Sequence, residues 1–120
     1  MLPAESRMRR SAEFELTVRR GSRAARALLT GYLLVREDGE AQAPLVGFVV
    51  SKAVGNAVVR NKVRRRLRSV MRGYLPTLPG GSLLVVRAHP QAASARQADL
   101  AAELDLVMGR LIRRQVGVVR

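Results

Sequence analysis

The chain has 120 residues, 48% of them hydrophobic, which suffices for one compact domain spanning residues 1–120 and is too short for two. Lysine and arginine number 22 against 9 aspartates and glutamates, so the formal net charge is +13, and a surplus of this size predicts a polyanionic partner. The sequence contains no cysteine, which excludes disulfides and cysteine-ligated zinc.

The acidic residues are confined to two parts of the chain. They lie between Glu5 and Glu40 or between Asp99 and Asp105, so residues 41–98 carry positive side chains only. Arginine greatly outnumbers lysine, which favours bidentate contacts with phosphate. Nucleic acid is therefore the predicted class of partner.

The first predicted element is a short helix that follows the basic cluster Arg7–Arg10, with Ser11 as its cap. Its direction is indicated by early acids, late bases and a terminal glycine: Glu13, Glu15, Arg19, Arg20 and Gly21. Phe14 and Val18 share one face by their spacing, whereas Leu16 points away from it. A short helix needs only one apolar face for a core, so the other is available to a ligand or to a second wall of the protein.

Two apolar segments follow and predict strands. They are Leu28–Arg36 and Leu45–Ser51, separated by a polar turn over residues 36–43, and their closeness predicts a hairpin. A further short strand between Ala24 and Thr30 is an additional candidate.

The clearest helix is predicted over residues 57–74, with Gly55 and Asn56 at its start and prolines and glycines after its end. Its apolar positions follow helical spacing: Val59, Val63, Leu67, Val70, Met71 and Tyr74.

A continuous apolar strand is predicted over Ser82–Arg87. Ser94 with Gln97 then fits a capping box for a last helix, whose apolar stripe is Leu100, Leu104, Val107, Leu111 and Ile112. The order α-β-β-(β)-α-β-α predicts an α+β fold.

The long helix carries arginines at every fourth residue: Arg60, Arg64, Arg68 and Arg72. Lys62, Arg65 and Arg66 widen this basic side, and Asn61 lies among them. Four residues rise about 6 Å along a helix, which is close to the spacing of successive phosphates in a nucleic acid strand. The alternative is a solvated basic face, but that face has no acidic partner at helical spacing and would repel itself.

No motif for protein-based catalysis is visible. His89 is the only histidine, no nucleophile or metal cluster accompanies it, and Gly80-Gly81 lacks the pattern of a phosphate-binding loop.

The stretch from Val50 to Arg68 reads VSKAVGNAVVRNKVRRRLR and closely resembles the signature of the bacterial ribonuclease P protein component. Weaker similarity covers nearly the whole chain, including Phe14 on a short helix, Gly21, Tyr32 and the LVVRA strand. Lys62 stands where that family usually has arginine, and Arg64 where it often has lysine.

The resemblance implies a small α/β sandwich whose strand-helix-strand crossover through the basic helix is left-handed. It also implies a function, as the protein subunit of ribonuclease P, an endoribonuclease that removes the 5′ leader from precursor tRNA and leaves a 5′-phosphate. In that family the RNA subunit performs the hydrolysis with bound Mg²⁺, so the resemblance implies no catalytic residue and no metal ligand on this chain.

Two binding surfaces follow from the resemblance. It assigns contact with the RNA subunit to residues of the basic helix and its preceding loop: Lys52, Asn56, Arg60, Asn61, Lys62, Arg64, Arg65 and Arg68. It assigns contact with the single-stranded leader to Phe14, Tyr32, Arg9 and Arg10. Val18 stands where the family usually has a second aromatic, and ordinary core packing is the alternative role for Phe14 and for Tyr32.

The predicted partners are the ribonuclease P RNA and precursor tRNA, bound by one protein monomer per RNA. No DNA partner and no membrane contact are expected, and no signal-peptide pattern is visible, so a cytoplasmic location is predicted.

Three other functions remain possible from the residues. A generic RNA-binding or ribosome-associated protein would not prefer a leader-bearing tRNA. A helix-turn-helix DNA reader would recognise duplex base edges. A protein-only nuclease would need a carboxylate cluster, against which the acid-free middle of the chain argues.

Overall fold

The computed structural model describes residues 2–37 and 42–119, with side chains as far as residue 114. It contains α1 (Ser11–Arg20), β1 (Ser22–Ala25), β2 (Leu29–Val35), β3 (Leu45–Val49), α2 (Ala57–Met71), β4 (Ser82–Ala88) and α3 (Gln97–Val119). Short 3-10 helices occur at Ala4–Ser6, Arg72–Thr77 and Pro90–Ser94. The predicted α+β order is confirmed, and its optional strand is β1, which begins earlier than expected. Residues 38–41 of the predicted polar turn lie outside the described ranges.

The four strands form one sheet in the order β1-β2-β4-β3. Strand β2 is antiparallel to both β1 and β4, whereas β3 pairs with β4 in parallel. The predicted hairpin between the segments at residues 28–36 and 45–51 is therefore wrong. Strand β4 is buried along both faces, so it takes a central position and separates the two strands that are adjacent in sequence.

The sheet has helix α1 on one face and helices α2 and α3 on the other. Alternate residues of β4 serve the two sides: Leu83 and Val85 pack in the smaller apolar cluster with α1, and Leu84 and Val86 pack in the larger cluster with α2 and α3. This layering matches the predicted sandwich. Helix α2 connects the parallel strands β3 and β4, and the handedness of that crossover stays a prediction.

The start of helix α2 is as predicted, because the Asn56 side chain accepts a hydrogen bond of 3.0 Å from the backbone N–H of Val59. The predicted cap of α1 is wrong. Ser11 is the first helical residue, Arg10 occupies the cap position, and no side chain caps this helix start.

The predicted cap of α3 is also wrong. Ser94 ends the preceding 3-10 helix, and α3 begins at Gln97. Here the Asp99 carboxylate accepts a hydrogen bond of 3.2 Å from the backbone N–H of Arg96. The predicted start at Ser94 and the observed start at Gln97 lie close together in sequence. At the observed start, Asp99 in the first turn accepts a hydrogen bond from a backbone N–H that the helix itself leaves without a partner.

Helix α2 ends earlier than predicted, at Met71, and continues as a 3-10 helix to Thr77. Pro76 lies inside that segment. Proline lacks an N–H and disfavours the α conformation of the residue before it, which explains the early change. The apolar stripe of α2 faces the core as predicted, with Val63, Leu67 and Met71 fully buried.

The stripe of α3 is likewise confirmed, because Leu100, Leu104, Val107 and Leu111 are buried. Glu103 fastens this helix to the turn between β1 and β2 by accepting hydrogen bonds from the Arg26 guanidinium and the Leu28 N–H. Burial alone would raise the pKa of Glu103, but these donors and the charge of Arg26 lower it below its usual value.

Within the described ranges no helix is both long and apolar enough to cross a bilayer.

Candidate nucleic-acid interface

The arginines at every fourth position of helix α2, continued by Arg72 just beyond its end, turn away from the core along the row. Four residues advance about 400° around a helix, so each member is rotated about 40° from the one before. Arg60 at the start of the row is half-buried, Arg64 and Arg68 are half-buried further along, and Arg72 is exposed. The row is therefore a gradual spiral from the protein interior to solvent.

The outward side of α2 and its preceding loop is exposed. The exposed members of the predicted RNA-subunit surface are Lys52, Asn56, Asn61, Lys62 and Arg65. Val58 lies on the same side, in helical projection between Lys62 and Arg65, and the residue is 77% exposed. Val58 was not predicted as a site residue, although an apolar side chain off the core stripe and among cations is a visible signal in the sequence.

Hydrogen bonds orient Arg64. One terminal nitrogen lies 3.2 Å from Asn61 Oδ1 and the other 3.4 Å from the carbonyl oxygen of Val50. Arg60 differs, because its Nε is buried and has no hydrogen-bond partner among the described residues. A buried donor of this kind is costly unless a ligand or water accepts from it.

Arg66 has a different role from the rest of the basic side. Its guanidinium donates a 2.7 Å hydrogen bond to the carbonyl oxygen of Ala95, which joins α2 to the segment before α3. It lies on the flank of α2 opposite the spiral row and was not among the predicted contacts.

No acidic side chain in the described parts of the chain neutralises helix α2. Ion pairs there join Arg26 to Glu103, Arg36 to Glu13 and Arg96 to Asp99. None involves the basic helix. Within the described chain, helix α2 therefore keeps its positive charge without an ion-pair partner.

The basic segment before α1 runs along the free edge of strand β3. Arg7 pairs with Val46 as a parallel bridge, and the N–H of Met8 donates a 2.9 Å hydrogen bond to the Val46 carbonyl oxygen. This attachment holds the following residues, Arg9 and Arg10, exposed at the entrance to α1.

A cleft of about 450 Å³ opens between α1 and the sheet. Phe14, Val18 and Val49 provide its apolar surface, Arg19 and Arg87 provide positive charge, and Glu15 adds one negative charge. Phe14, Leu16 and Val18 all pack against the smaller apolar cluster, and Phe14 and Val18 also border the cleft.

Phe14 and Tyr32, the two predicted leader-binding aromatics, are placed differently. Phe14 is half-buried and reaches the cleft. Tyr32 is only 6% exposed and belongs to the smaller apolar cluster. The guanidinium carbon of Arg87 lies 5.9 Å from the centroid of the Tyr32 ring, in a cation–π arrangement.

Arg87 and Arg19 were not predicted as site residues. Arg87 is the exposed residue in a strand whose other members are buried, and a charged residue within an apolar strand was the available signal. The strand pairing that brings it beside Tyr32 could not be read from the sequence.

His89 has a structural role here, because its Nε2 lies 2.7 Å from the Thr30 hydroxyl. Across residues 2–37 and 42–119, no group of three or more histidine, aspartate or glutamate side chains is placed to hold a metal ion.

Comparison with known proteins gives one consistent family. The family model described as Ribonuclease P matches residues 2–112. The ribonuclease P protein component of Streptomyces avermitilis is 52% identical over 118 residues, covering 93% of this chain and 96% of the relative. That of a Nocardioides species is 50% identical over 111 residues, covering 92% and 95%.

Solved structures support the fold. The RNase P protein of Staphylococcus aureus superposes with a TM-score of 0.77 at 23% identity, covering 87% of this chain and 93% of that one. The RNase P protein of Thermotoga maritima gives a TM-score of 0.71 at 21% identity, covering 89% and 96%.

Proposed function

The chain belongs to the ribonuclease P protein family and is a subunit of this tRNA-processing enzyme, and we propose that helix α2 is its contact with the catalytic RNA. The observation that carries the proposal is a basic helix with no acidic partner in the described chain. Arg65, Lys62 and Asn61 are exposed on it, and Lys52 and Asn56 extend the same surface toward the preceding loop. Each guanidinium can donate two parallel hydrogen bonds to a phosphate.

The second part of the proposal is that the cleft beside α1 binds the 5′ leader of precursor tRNA. Phe14 offers an aromatic surface on which any base can stack, and Arg19 and Arg87 line the cleft with it. Arg9 and Arg10 are exposed at the start of α1 and are available for further phosphates. Tyr32 lies beneath the Arg87 guanidinium, so a base can reach its ring only if Arg87 moves. Recognition by stacking tolerates any leader sequence, as an enzyme serving many tRNAs requires.

The cleavage chemistry in this proposal belongs to the RNA subunit with Mg²⁺. Glu13, Asp99 and Glu103 are each paired with an arginine, and the described carboxylates form no cluster that fits a metal. The protein would screen phosphate charge and position the leader. We further propose one protein per RNA, acting in the cytoplasm.

Reconstitution tests the function. The protein is combined with the cognate ribonuclease P RNA at low Mg²⁺, and leader removal from precursor tRNA is scored. We expect cleavage to need both components and the holoenzyme to bind precursor more tightly than mature tRNA. Equal affinity for both tRNAs would favour a generic RNA-binding protein.

Phe14→Ala tests the leader site. The variant should raise the Kd of the holoenzyme for precursor tRNA by about 5- to 150-fold, the equivalent of one stacked base, with little change for mature tRNA. Phe14→Leu, which keeps apolar packing, should also lose the precursor preference. Equal losses for both tRNAs with a lower Tm would assign Phe14 to the core.

A further inference from the structure

A second, smaller cavity lies where the two proposed surfaces meet. It lies between the segment before α1 and helix α2, is partly open to solvent, and has a volume of about 220 Å³. Arg7 and Arg9 border it from one side, and Arg64 and Arg68 from the other. We call this cavity the junction pocket.

The four arginines bring unneutralised charge together. Arg7 Nε donates to the Leu2 carbonyl oxygen at 3.2 Å, and Arg64 donates to that of Val50, so these two are oriented by backbone and keep their full charge. No acidic side chain of the described chain borders the pocket. Like charges placed this close favour a bound anion.

The rest of the pocket is apolar. Met8, Phe14 and Phe48 line it, and Gly47 contributes backbone only. A Cβ at Gly47 would lie 2.4 Å from the Phe14 ring, so glycine here lets the aromatic ring lie directly against strand β3. A site for free phosphate would not need such a lining, whereas a base would use it.

We propose that the junction pocket holds one unpaired nucleotide, with its base against the apolar lining and its phosphates among the four arginines. This inference rests on the proposed function. The volume is below the roughly 300–1,000 Å³ of pockets for drug-sized ligands, which suits a single base. The nucleotide comes either from the leader, beside Arg9, or from the RNA subunit, beside Arg68, and its chemistry is the same in both cases.

The test couples removal of single bases to removal of one pocket charge. Abasic nucleotides are placed one at a time along the leader and at unpaired positions of the RNA subunit, and the affinity of the holoenzyme or of its assembly is measured. Arg68→Met removes a pocket guanidinium and keeps most of its apolar stem. Arg72→Met is the matched control, because Arg72 is the next member of the same row and lies outside the pocket.

We expect one abasic position to lower affinity by about 5- to 150-fold in the natural protein and in Arg72→Met. The same position should have a much smaller effect in Arg68→Met and in Arg64→Met, the second pocket variant. Whether it falls in the leader or in the RNA subunit identifies the source.

The proposed nucleotide site is wrong if no abasic position has a smaller effect on affinity in the pocket variants than in the natural protein. It is also wrong if Arg68→Met and Arg72→Met change the effect of the abasic position equally. In that case reduced RNA affinity in Arg68→Met and Arg64→Met would leave the proposed function standing. Undiminished RNA affinity in these two variants would contradict the site and the function together.

Discussion

At the scale of single residues, the arginines differ in what their hydrogen bonds do: some join elements of the fold, some are oriented by the backbone at the junction pocket, as Arg7 and Arg64 are, and some have no partner in the described chain. Arg26 and Arg66 join elements by donating to the Glu103 carboxylate and the Ala95 carbonyl oxygen, whereas Arg96 pairs locally with Asp99 at the start of α3. Arg65 and Arg68 have no such partner in the described chain. The sequence could predict that α2 is basic, but it could not separate Arg66 from its neighbours, since its carbonyl partner depends on tertiary packing.

Tyr74 provides a residue-scale prediction about pH. Burial raises the pKa of its hydroxyl to about 12, helped by the hydrogen bond it donates to Asp105 and by the charge of that carboxylate. The unfolded chain loses this proton near pH 10, so the stabilisation is complete below pH 10 and is lost between pH 10 and 12.

Urea unfolding of the natural protein and of Tyr74→Phe at several pH values from 9 to 12 checks this. The difference in unfolding free energy between the two proteins should shrink as pH rises through that window. A difference that stays constant would mean that Tyr74 titrates normally.

At the scale of elements, single residues decide how closely helices approach the sheet. Gly31 in β2 lies under α3, and a Cβ there would lie 2.6 Å from Val107 Cγ1 and 3.0 Å from Leu111 Cδ1. Gly31→Ala should lower the free energy of unfolding by about 1–3 kcal/mol, the usual cost of overpacking.

Gly73→Ala is the control, because a Cβ at Gly73 meets nothing within 4 Å, and its effect should stay within about 0.5 kcal/mol. Denaturant unfolding measures both. Equal effects of the two substitutions would show that α3 can move away from β2 without cost.

Arg66→Met tests the connection between α2 and the segment before α3. Loss of its 2.7 Å hydrogen bond to Ala95 should lower stability by about 1–3 kcal/mol. The folded variant should keep most of its affinity for the RNA subunit, unlike Arg65→Ala. Thermal unfolding and RNA titration together distinguish a structural role of Arg66 from RNA contact. A variant with the Tm of the natural protein but reduced RNA affinity would show that Arg66 contacts RNA.

Element type and burial could be predicted from spacing, as the stripes of α2 and α3 demonstrate. Strand pairing could not, because the insertion of β4 between β2 and β3 joins segments that are distant in sequence. The caps at Ser11 and Ser94 were predicted from residue type alone, whereas the observed helices begin at Ser11 and Gln97, each with an acid in its first turn. The junction pocket was equally hidden, since it depends on the N-terminal segment pairing with β3.

At the scale of the whole molecule, charge is distributed so that one region stays unneutralised. Acids at Glu13, Asp99 and Glu103 pair with arginines outside α2, and the acid-free stretch 41–98 contains the basic helix. Every phosphate contact releases counterions, so the affinity of such a surface for RNA must fall steeply with salt. This dependence follows from net charge and could be predicted from composition.

The most direct test is the salt dependence of assembly between the protein and the ribonuclease P RNA, measured for the natural protein, Arg65→Ala and Arg110→Ala. Arg65 is exposed on α2, and Arg110 is exposed on α3, so the two variants lose the same charge at different places. We predict that Arg65→Ala lowers the slope of log K against log salt by about one unit and that Arg110→Ala leaves it unchanged. Equal changes in both variants, or an unchanged slope in Arg65→Ala, would contradict the assignment of helix α2 as the RNA contact.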